Sequence, residues 1–173
     1  MRKPVDLRNH LSAALPDLQR EPERLVMVVT RGSVRSTATP ALSWEYAYTL
    51  RLLFLDWVLH ADSIMAPLLA WVKHHQNELL ANPTKNGIRF EAEHLNTSAM
   101  DLVIDLDLTE RVLCRPREGV EGGLDLHHLD DTPPLYLPKQ EHWKVFLQGV
   151  QVAQWDLPAN PPLLQQLMPQ RHG

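Results

Sequence analysis

Alternation of apolar and polar side chains between residues 101 and 108 constrains the fold of this chain more than any other feature of its sequence. The apolar positions are Leu102, Ile104, Leu106 and Leu108, and the positions between them are Asp101, Val103, Asp105 and Asp107. Successive side chains of a β-strand point to opposite faces of a sheet, so this pattern predicts a strand with one buried and one solvated face. We expect it to span residues 99–114 and to pair with a strand over residues 88–95.

A second alternating segment begins at residue 44 and is rich in aromatic side chains. One face carries Trp44, Tyr46, Tyr48 and Leu50, and the other carries Glu45, Ala47, Thr49 and Arg51. We expect this strand to continue to about residue 58 and to become apolar on both sides as it enters the core. The aromatic face indicates a core face or a subunit interface, because Trp and Tyr are enriched at interfaces. A role of this face in stacking nucleic-acid bases is disfavoured, because the basic groove that such a site needs is missing around these residues.

The remaining segments predict two main helices and three further strands. The first helix is expected to end near residue 14, because Pro16 cannot continue it, and the second to run from residue 62 or 63 to Asn82. The buried stripe of the second helix is predicted to contain Ile64, Leu68, Trp71, Val72, His75 and Leu79. Apolar runs predict strands over residues 24–30, 143–147 and 150–155, and the last two flank a hairpin turn at Gln148-Gly149.

These elements predict an α+β fold with a mostly antiparallel or mixed β-sheet and two main helices on one face. Residues 1–156 are expected to form a single domain. Residues 31–42 are interpreted as a loop, and residues 115–141 as a long irregular connection that meets a partner. The proline-rich residues 157–173 are expected to form a flexible tail.

Charge and cysteine content exclude several classes of protein. The net charge of −4 divides into +3 over residues 1–36 and −7 over the rest, so the chain lacks the concentrated basic face of a duplex-binding domain. Cys114 is the only cysteine, which excludes an internal disulfide and a four-cysteine zinc site. The most apolar stretch, residues 50–72, contains charged side chains, so we expect a soluble protein that does not span a membrane. Polar residues near the N-terminus predict that the usual export signal is absent.

Known catalytic motifs are missing, and the histidines offer one enzymatic alternative. The sequence contains no Gly-x-Ser-x-Gly elbow, no phosphate-binding loop and no Gly-x-Gly-x-x-Gly. The strongest metal-binding candidate is Asp125-Leu126-His127-His128 with Asp130 and Asp131. It predicts a metal-dependent hydrolase as the alternative function, although no second ligand cluster completes a two-metal site.

In their order along the chain, several short segments resemble the phage tail completion protein R family of contractile-tailed bacteriophages and their prophages. The segments are Lys3-Pro4 with Leu7-Arg8, Ser43-Trp44-Glu45-Tyr46 with Tyr48-Thr49-Leu50, Asp62-x-Ile64-x-x-Pro67-x-Leu69-Ala70-Trp71, Asp101-Leu102, Leu108-Thr109-Glu110-Arg111, and the final hairpin with Gly149 and Trp155. The similarity reaches about residue 156. The chain departs from the family pattern in the 115–141 connection and in its proline-rich end.

The resemblance implies a structural role in completing the phage tail and no catalytic residue or cofactor. Proteins of this kind act at the head-proximal end of the tail, where it joins the capsid, and tail terminators resemble small α+β subunits in six-membered rings. The implied partners are further copies of the chain, the tail tube, the sheath and the neck or head completion proteins. The implied location is the virion tail, assembled in the host cytoplasm. A baseplate or head–tail adaptor of similar fold is a further alternative.

A ring implies two sets of residues with assembly roles. Closed rings need heterologous contacts, and we predict that the subunit or partner interface includes the aromatic residues Trp44, Tyr46, Tyr48, Trp143 and Trp155. DNA must pass through a tail without binding, and carboxylates repel phosphate. We therefore hypothesise that Asp101, Asp105 or Asp107 faces the channel, and the alternative is an ordinary solvent-exposed face.

Overall fold

A computed structural model describes residues 1–36, 42–82, 84, 86–94, 98–131 and 141–157 of the chain. The helices are α1 (Lys3–Ala14), α2 (Pro16–Arg20), a 3-10 turn η1 (Pro22–Arg24), α3 (Asp62–His75) and α4 (Glu78–Ala81). The strands are β1 (Leu25–Ser36), β2 (Trp44–Trp57), β3 (Ile88–His94), β4 (Met100–Pro116), β5 (Leu124–His128), β6 (Glu141–Leu147) and β7 (Val150–Leu157). The predicted α+β fold is confirmed.

Five strands form an antiparallel sheet in the order β1-β2-β4-β3, and β5 also pairs with β4, beyond the end of β3. The two alternating segments of the sequence are its central strands, with Leu50 opposite Leu106 and Tyr48 opposite Leu108. The apolar positions of β4, and those of β2 from Tyr48 onward, are buried, whereas the positions between them are partly exposed. Trp44 and Tyr46, at the start of β2, are half-buried. The period of two therefore predicted both the strands and the face that each side chain occupies.

The main helices α1 and α3 pack against each other and supply leucine side chains to the core beneath the sheet. Leu15 adopts an extended conformation between α1 and α2, which confirms the break that Pro16 predicts. The second helix, in contrast, is shorter than predicted. It ends at His75, and Gln76 and Asn77 separate it from α4, so Leu79 lies on α4. His74 is buried, whereas the predicted His75 is partly exposed. No helix in the described part of the chain is long and apolar enough to span a membrane.

The first strand extends further than its composition indicates. Residues 31–36, which the sequence places in a loop, continue β1 beyond an irregularity between Val29 and Arg31 and pair with β2 as far as Trp44. Hydrogen bonding to a long neighbouring strand outweighs the weak strand propensity of Gly and Ser. Residues 37–41 of the predicted loop lie outside the described residues.

The predicted irregular connection also contains regular structure. β4 continues to Pro116, and β5 returns along it from Leu124, so the first part of the 115–141 segment is a hairpin. Gly119 and Gly122 have φ angles of 73° and 69° and provide the left-handed residues of its turn. Residues 132–140 of the predicted connection, and residues 158–173 of the predicted tail, lie outside the described residues.

The final hairpin is present at the predicted turn but forms a second sheet. Gln148 and Gly149 both have positive φ angles, as a tight two-residue hairpin turn requires. β6 and β7 pair only with each other among the described strands and pack against α1 and α3. The helices therefore have β-structure on two sides. The opposite side of the five-stranded sheet carries Thr49, Arg51, Asp105 and Asp107, whose side chains stay partly exposed among the described residues. It is called the uncovered face below.

Candidate assembly surfaces

The three aromatic residues of β2 lie in different environments. Trp44 and Tyr46 are half-buried, and their rings meet edge to face with centroids 5.9 Å apart. Tyr48 is only 6% exposed and belongs to the hydrophobic core. Trp44 and Tyr46 remain available to a neighbouring molecule, whereas the Tyr48 side chain is used within the subunit.

The hydroxyl of Tyr48 donates a hydrogen bond to Glu110, a carboxylate that is itself buried. The backbone N–H groups of Arg2 and Lys3 donate to the same carboxylate, at 2.7 and 3.2 Å. Burial favours the protonated form of Glu110, but these donors outweigh it and hold its pKa below the ordinary value. Burial and the neighbouring carboxylate raise the pKa of Tyr48. Glu110 thus attaches the N-terminus to the centre of the sheet.

Lys3 completes this anchor and is also buried. Its ammonium group contacts the backbone oxygen of His75 and the side-chain oxygen of Gln76, at 2.5 and 2.7 Å, and pairs with Asp131 at 2.9 Å. Burial raises the pKa of Asp131, although Lys3 opposes the shift. The amide of Gln76 also bonds Thr109 on the edge of β4. Sequence analysis missed this network, because a charged residue near a terminus is ordinarily exposed.

The tryptophans of the final hairpin differ in the same way as the aromatic residues of β2. Trp155 is 8% exposed and packs in the core, with the ring of His10 at its edge. Trp143 stacks on it at 6.5 Å between centroids but is 45% exposed. Phe146 and Val150 are exposed on the same hairpin. Trp143 therefore presents apolar surface to solvent, and the buried ring of Trp155 packs against its other side.

The three aspartates of β4 lie on the uncovered face as predicted, but two of them are ion-paired. Asp105 accepts two hydrogen bonds of 2.8 Å from Arg51, and Asp107 accepts bonds of 2.7 and 2.9 Å from Arg89. These arginines hold the pKa values of both carboxyl groups below the ordinary value. Asp101 accepts a hydrogen bond from a backbone N–H of β2. The pairing removes most of the net negative charge on which the channel hypothesis relies, and the position of these residues in an assembly stays a prediction.

The metal-binding candidate is divided by the strand that contains it. His127 and His128 are consecutive residues of β5, so their side chains point to opposite faces. Nδ1 of His128 lies 3.3 Å from Glu110, in the N-terminal anchor. No three metal-ligating side chains come together within the described residues. The structure therefore offers no support for the metal-dependent hydrolase.

A second polar cluster joins α1 to α3. The indole N–H of Trp71 donates to Asp6 at 2.9 Å, and the ring of His75 stacks on Trp71 with a centroid distance of 4.6 Å. His10 contacts the backbone oxygen of Pro67 at 3.0 Å. Burial lowers the pKa values of His10 and His75, which favours the neutral imidazole at neutral pH. The cluster therefore joins α1 to α3 through polar and ring contacts.

Two comparisons relate the chain to known proteins. Residues 1–133 match the family model of the P2 phage tail completion protein R (GpR). The chain belongs to this family. It is also 33% identical over 158 residues to tail completion protein R of Escherichia phage P2, a match that covers 90% of this chain and 99% of the relative. No solved structure matches the chain significantly.

The segments through which the sequence resembles the tail completion protein R family meet in space. Lys3, Tyr48 and Glu110 come from three such segments and form one hydrogen-bonded anchor. Trp71, from a fourth, bonds the first helix through Asp6. These four residues stabilise the fold of the subunit, whereas Trp44 and Tyr46 of the same segments keep part of their surface accessible.

Proposed function

We propose that the chain is a non-enzymatic structural protein that completes the phage tail at its head-proximal end, as a ring of six copies, and allows the tail to join the head. The observation that carries this proposal is the similarity to a tail completion protein over nearly the full length of both chains. The proposed partners are further copies of the chain and the tail tube, sheath and neck proteins. Its proposed location is the virion tail, after assembly in the host cytoplasm.

The distribution of exposed apolar side chains supports an assembly role. Trp44 and Tyr46 on the sheet and Trp143 on the final hairpin remain accessible, and large aromatic side chains are the residues that most often anchor protein interfaces. They lie in different parts of the fold, as a subunit with several neighbours requires. We propose these three residues as contacts to copies or partners, whereas Tyr48 and Trp155 act within the core.

Electron microscopy of particles produced without the gene tests the proposed function. We expect overlong or headless tails, because an uncompleted tail end neither stops growth nor joins a capsid. Supplying the wild-type gene in trans should restore complete virions. Normal virions in its absence would contradict the proposal.

We further propose that the uncovered face meets DNA that passes through the ring without being bound. Asp105 pairs with Arg51, and Asp107 pairs with Arg89. Without these carboxylates, the two arginines would attract phosphate. The carboxylates therefore act by occupying these arginines, so that the face offers DNA little free positive charge.

Replacing both carboxylates, as Asp105→Asn/Asp107→Asn, should make the protein bind duplex DNA more strongly than the wild type does. We expect binding to rise about tenfold at low salt and to disappear at high salt, as for other phosphate contacts. An electrophoretic mobility assay measures it. The control is Glu118→Gln/Glu121→Gln, which makes the same change of charge in the exposed turn between β4 and β5. Equal retention by both variants would refute the role of the carboxylates.

A further inference from the structure

The end of β1 is a strand that its own subunit hardly covers. From Val28 to Ser36 every residue is exposed, including those whose side chains lie on the helix side of the sheet. Val34 is 62% exposed, although it lies opposite the half-buried Tyr46. Among the described strands, β1 pairs only with β2, so its outer edge presents unpaired backbone groups.

The other edge of the sheet is formed by β3 and has matching properties. Phe90 is 65% exposed and lies on the helix side, opposite Ile104 of β4. Glu91 and Glu93 lie on the uncovered face. Among the described strands, β3 pairs only with β4. The end of β1 beyond its irregularity and β3 therefore each combine one large exposed apolar side chain with charged residues on the opposite face.

The charges on the two edges have opposite signs. On the uncovered face, the edge of β1 carries Arg31 and Arg35. The edge of β3 carries Glu91 and Glu93 there, and also Arg89, whose charge is paired with Asp107. Apart from Arg89, none of these side chains forms an ion pair within the described residues. Like edges therefore repel one another, whereas the edge of β1 attracts the edge of β3 of another copy.

We propose that copies of this chain associate by adding the β3 edge of one subunit to the β1 edge of the next, so that the sheet continues from copy to copy. This proposal rests on the self-association in the proposed function. The contact is heterologous, which is the kind that closes into a ring. β1 and β3 run in opposite directions within the sheet, so copies arranged around an axis pair these strands antiparallel.

One register pairs the apolar side chains on the helix side and opposite charges on the uncovered face. Val34 opposite Phe90 buries the two exposed apolar side chains against each other and brings Arg31 opposite Glu93. Arg35 then lies opposite Arg89, whose charge is already paired with Asp107, and diagonal to Glu91. Residues 30–36 of one copy then pair with residues 88–94 of its neighbour. This uses all of β3 and the part of β1 from Thr30, the residue at its irregularity, to Ser36.

The stagger required by this register is one that closed sheets adopt. Within one subunit, Arg31 pairs with Thr49, Thr49 with Asp107, and Asp107 with Gly87, so Arg31 and Gly87 lie at the same height in the sheet. In the proposed contact, Arg31 instead lies opposite Glu93 of the next copy, which is six residues beyond Gly87. From one copy to the next, the sheet therefore shifts by six residues along the strands, or about 20 Å, over a width of four strands, or about 19 Å. This ratio corresponds to strands tilted by about 45° from the ring axis. Strands of closed barrels tilt by about 35–45°. Six copies would close at a diameter of about 50 Å, with the bulky helices at the larger radius and the uncovered face inside.

Charge reversal tests the pairing in the full chain. We expect Arg31→Glu/Arg35→Glu and Glu91→Arg/Glu93→Arg each to weaken self-association at least about tenfold, measured by sedimentation velocity. The chain carrying all four changes has the wild-type net charge and attractive edges, so it should associate again. Glu118→Arg/Glu121→Arg, the control, should associate like the wild type. Unchanged association of either edge variant, or a folded fourfold variant that does not recover, would overturn the pairing.

Disulfide cross-linking tests the register in cells that assemble tails. The variant Val34→Cys/Phe90→Cys should form a ladder of cross-linked copies on oxidation, whereas Val34→Cys/Val120→Cys should remain monomeric. Monomers alone with the first pair would overturn the proposal. Because this result does not depend on tail length or head joining, it is independent of the gene-deletion test. A ladder together with normal virions in the deletion would refute the proposed function and leave the edge pairing intact.

Discussion

Replacing Glu110 with alanine is expected to lower the free energy of unfolding by about 3–5 kcal/mol, as removal of one member of a buried charged network does. The change leaves the N–H groups of Arg2 and Lys3 and the hydroxyl of Tyr48 without their acceptor. It also detaches the first residues of α1 from β4. Chemical denaturation of the purified chain, followed by circular dichroism, measures the loss.

Tyr48→Phe is the matched control for this prediction. It removes one donor and leaves the carboxylate with its two backbone partners, so we expect a loss of only about 1–2 kcal/mol. A Glu110→Ala variant as stable as Tyr48→Phe would show that the carboxylate does not hold the N-terminus.

The same carboxylate should make stability depend on pH in acid. The pKa of Glu110 is lower in the folded chain than its ordinary value, so the unfolded chain takes up the proton first as the pH falls. Its contribution is present above the ordinary carboxyl pKa and is lost as the pH falls below it. Glu110→Gln should therefore flatten the acid limb of the stability profile measured by denaturation, and an unchanged limb would contradict this assignment.

The second large effect concerns the two stacked tryptophans of the final hairpin. Trp155→Ala should lower the free energy of unfolding by about 3–5 kcal/mol, because a buried indole is lost and a cavity remains. Trp143→Ala removes a ring that is 45% exposed and should cost clearly less stability. We expect Trp143→Ala to impair tail completion in trans although the protein stays folded, because its ring is available to a partner.

Comparison of stability with complementation separates the two roles. Denaturation gives the stability of each variant, and electron microscopy of complemented particles gives its function. Trp155→Phe keeps an aromatic side chain in the core and should recover much of the stability that Trp155→Ala loses. Normal tail completion by a folded Trp143→Ala variant would remove Trp143 from the proposed contacts.

The strands whose side chains alternate were predictable because the signal is local. In β4 and β2 the period of two assigned each side chain to a face, and Pro16 and the Gln148-Gly149 turn marked a helix break and a hairpin. The end of β1 was missed, since residues such as Gly32 and Ser33 favour turns and become strand only beside β2. The division into two sheets was missed as well, because alternation within a strand does not specify which strand lies next to it.

The candidate site was predictable only in part for the same reason. The alternation located Asp105 and Asp107 on the solvated face, but their pairing with Arg51 and Arg89 depends on the register of three strands. Tyr and Trp are residue types that are common at interfaces, so the sequence does not separate Tyr48 and Trp155 from Trp44 and Trp143. Only packing shows that the first two are buried and the last two are accessible.

By itself, the sequence determined the periodicity of the strands, the main breaks of the helices and the membership of a tail completion family. The tertiary structure alone decided which charges are paired and which edges stay open. Lys3 and Glu110 are more than one hundred residues apart, and Arg31 and Glu91 lie at opposite edges of one sheet. Interactions between groups so distant along the chain depend on how the strands are ordered and registered, which no local pattern of side chains encodes.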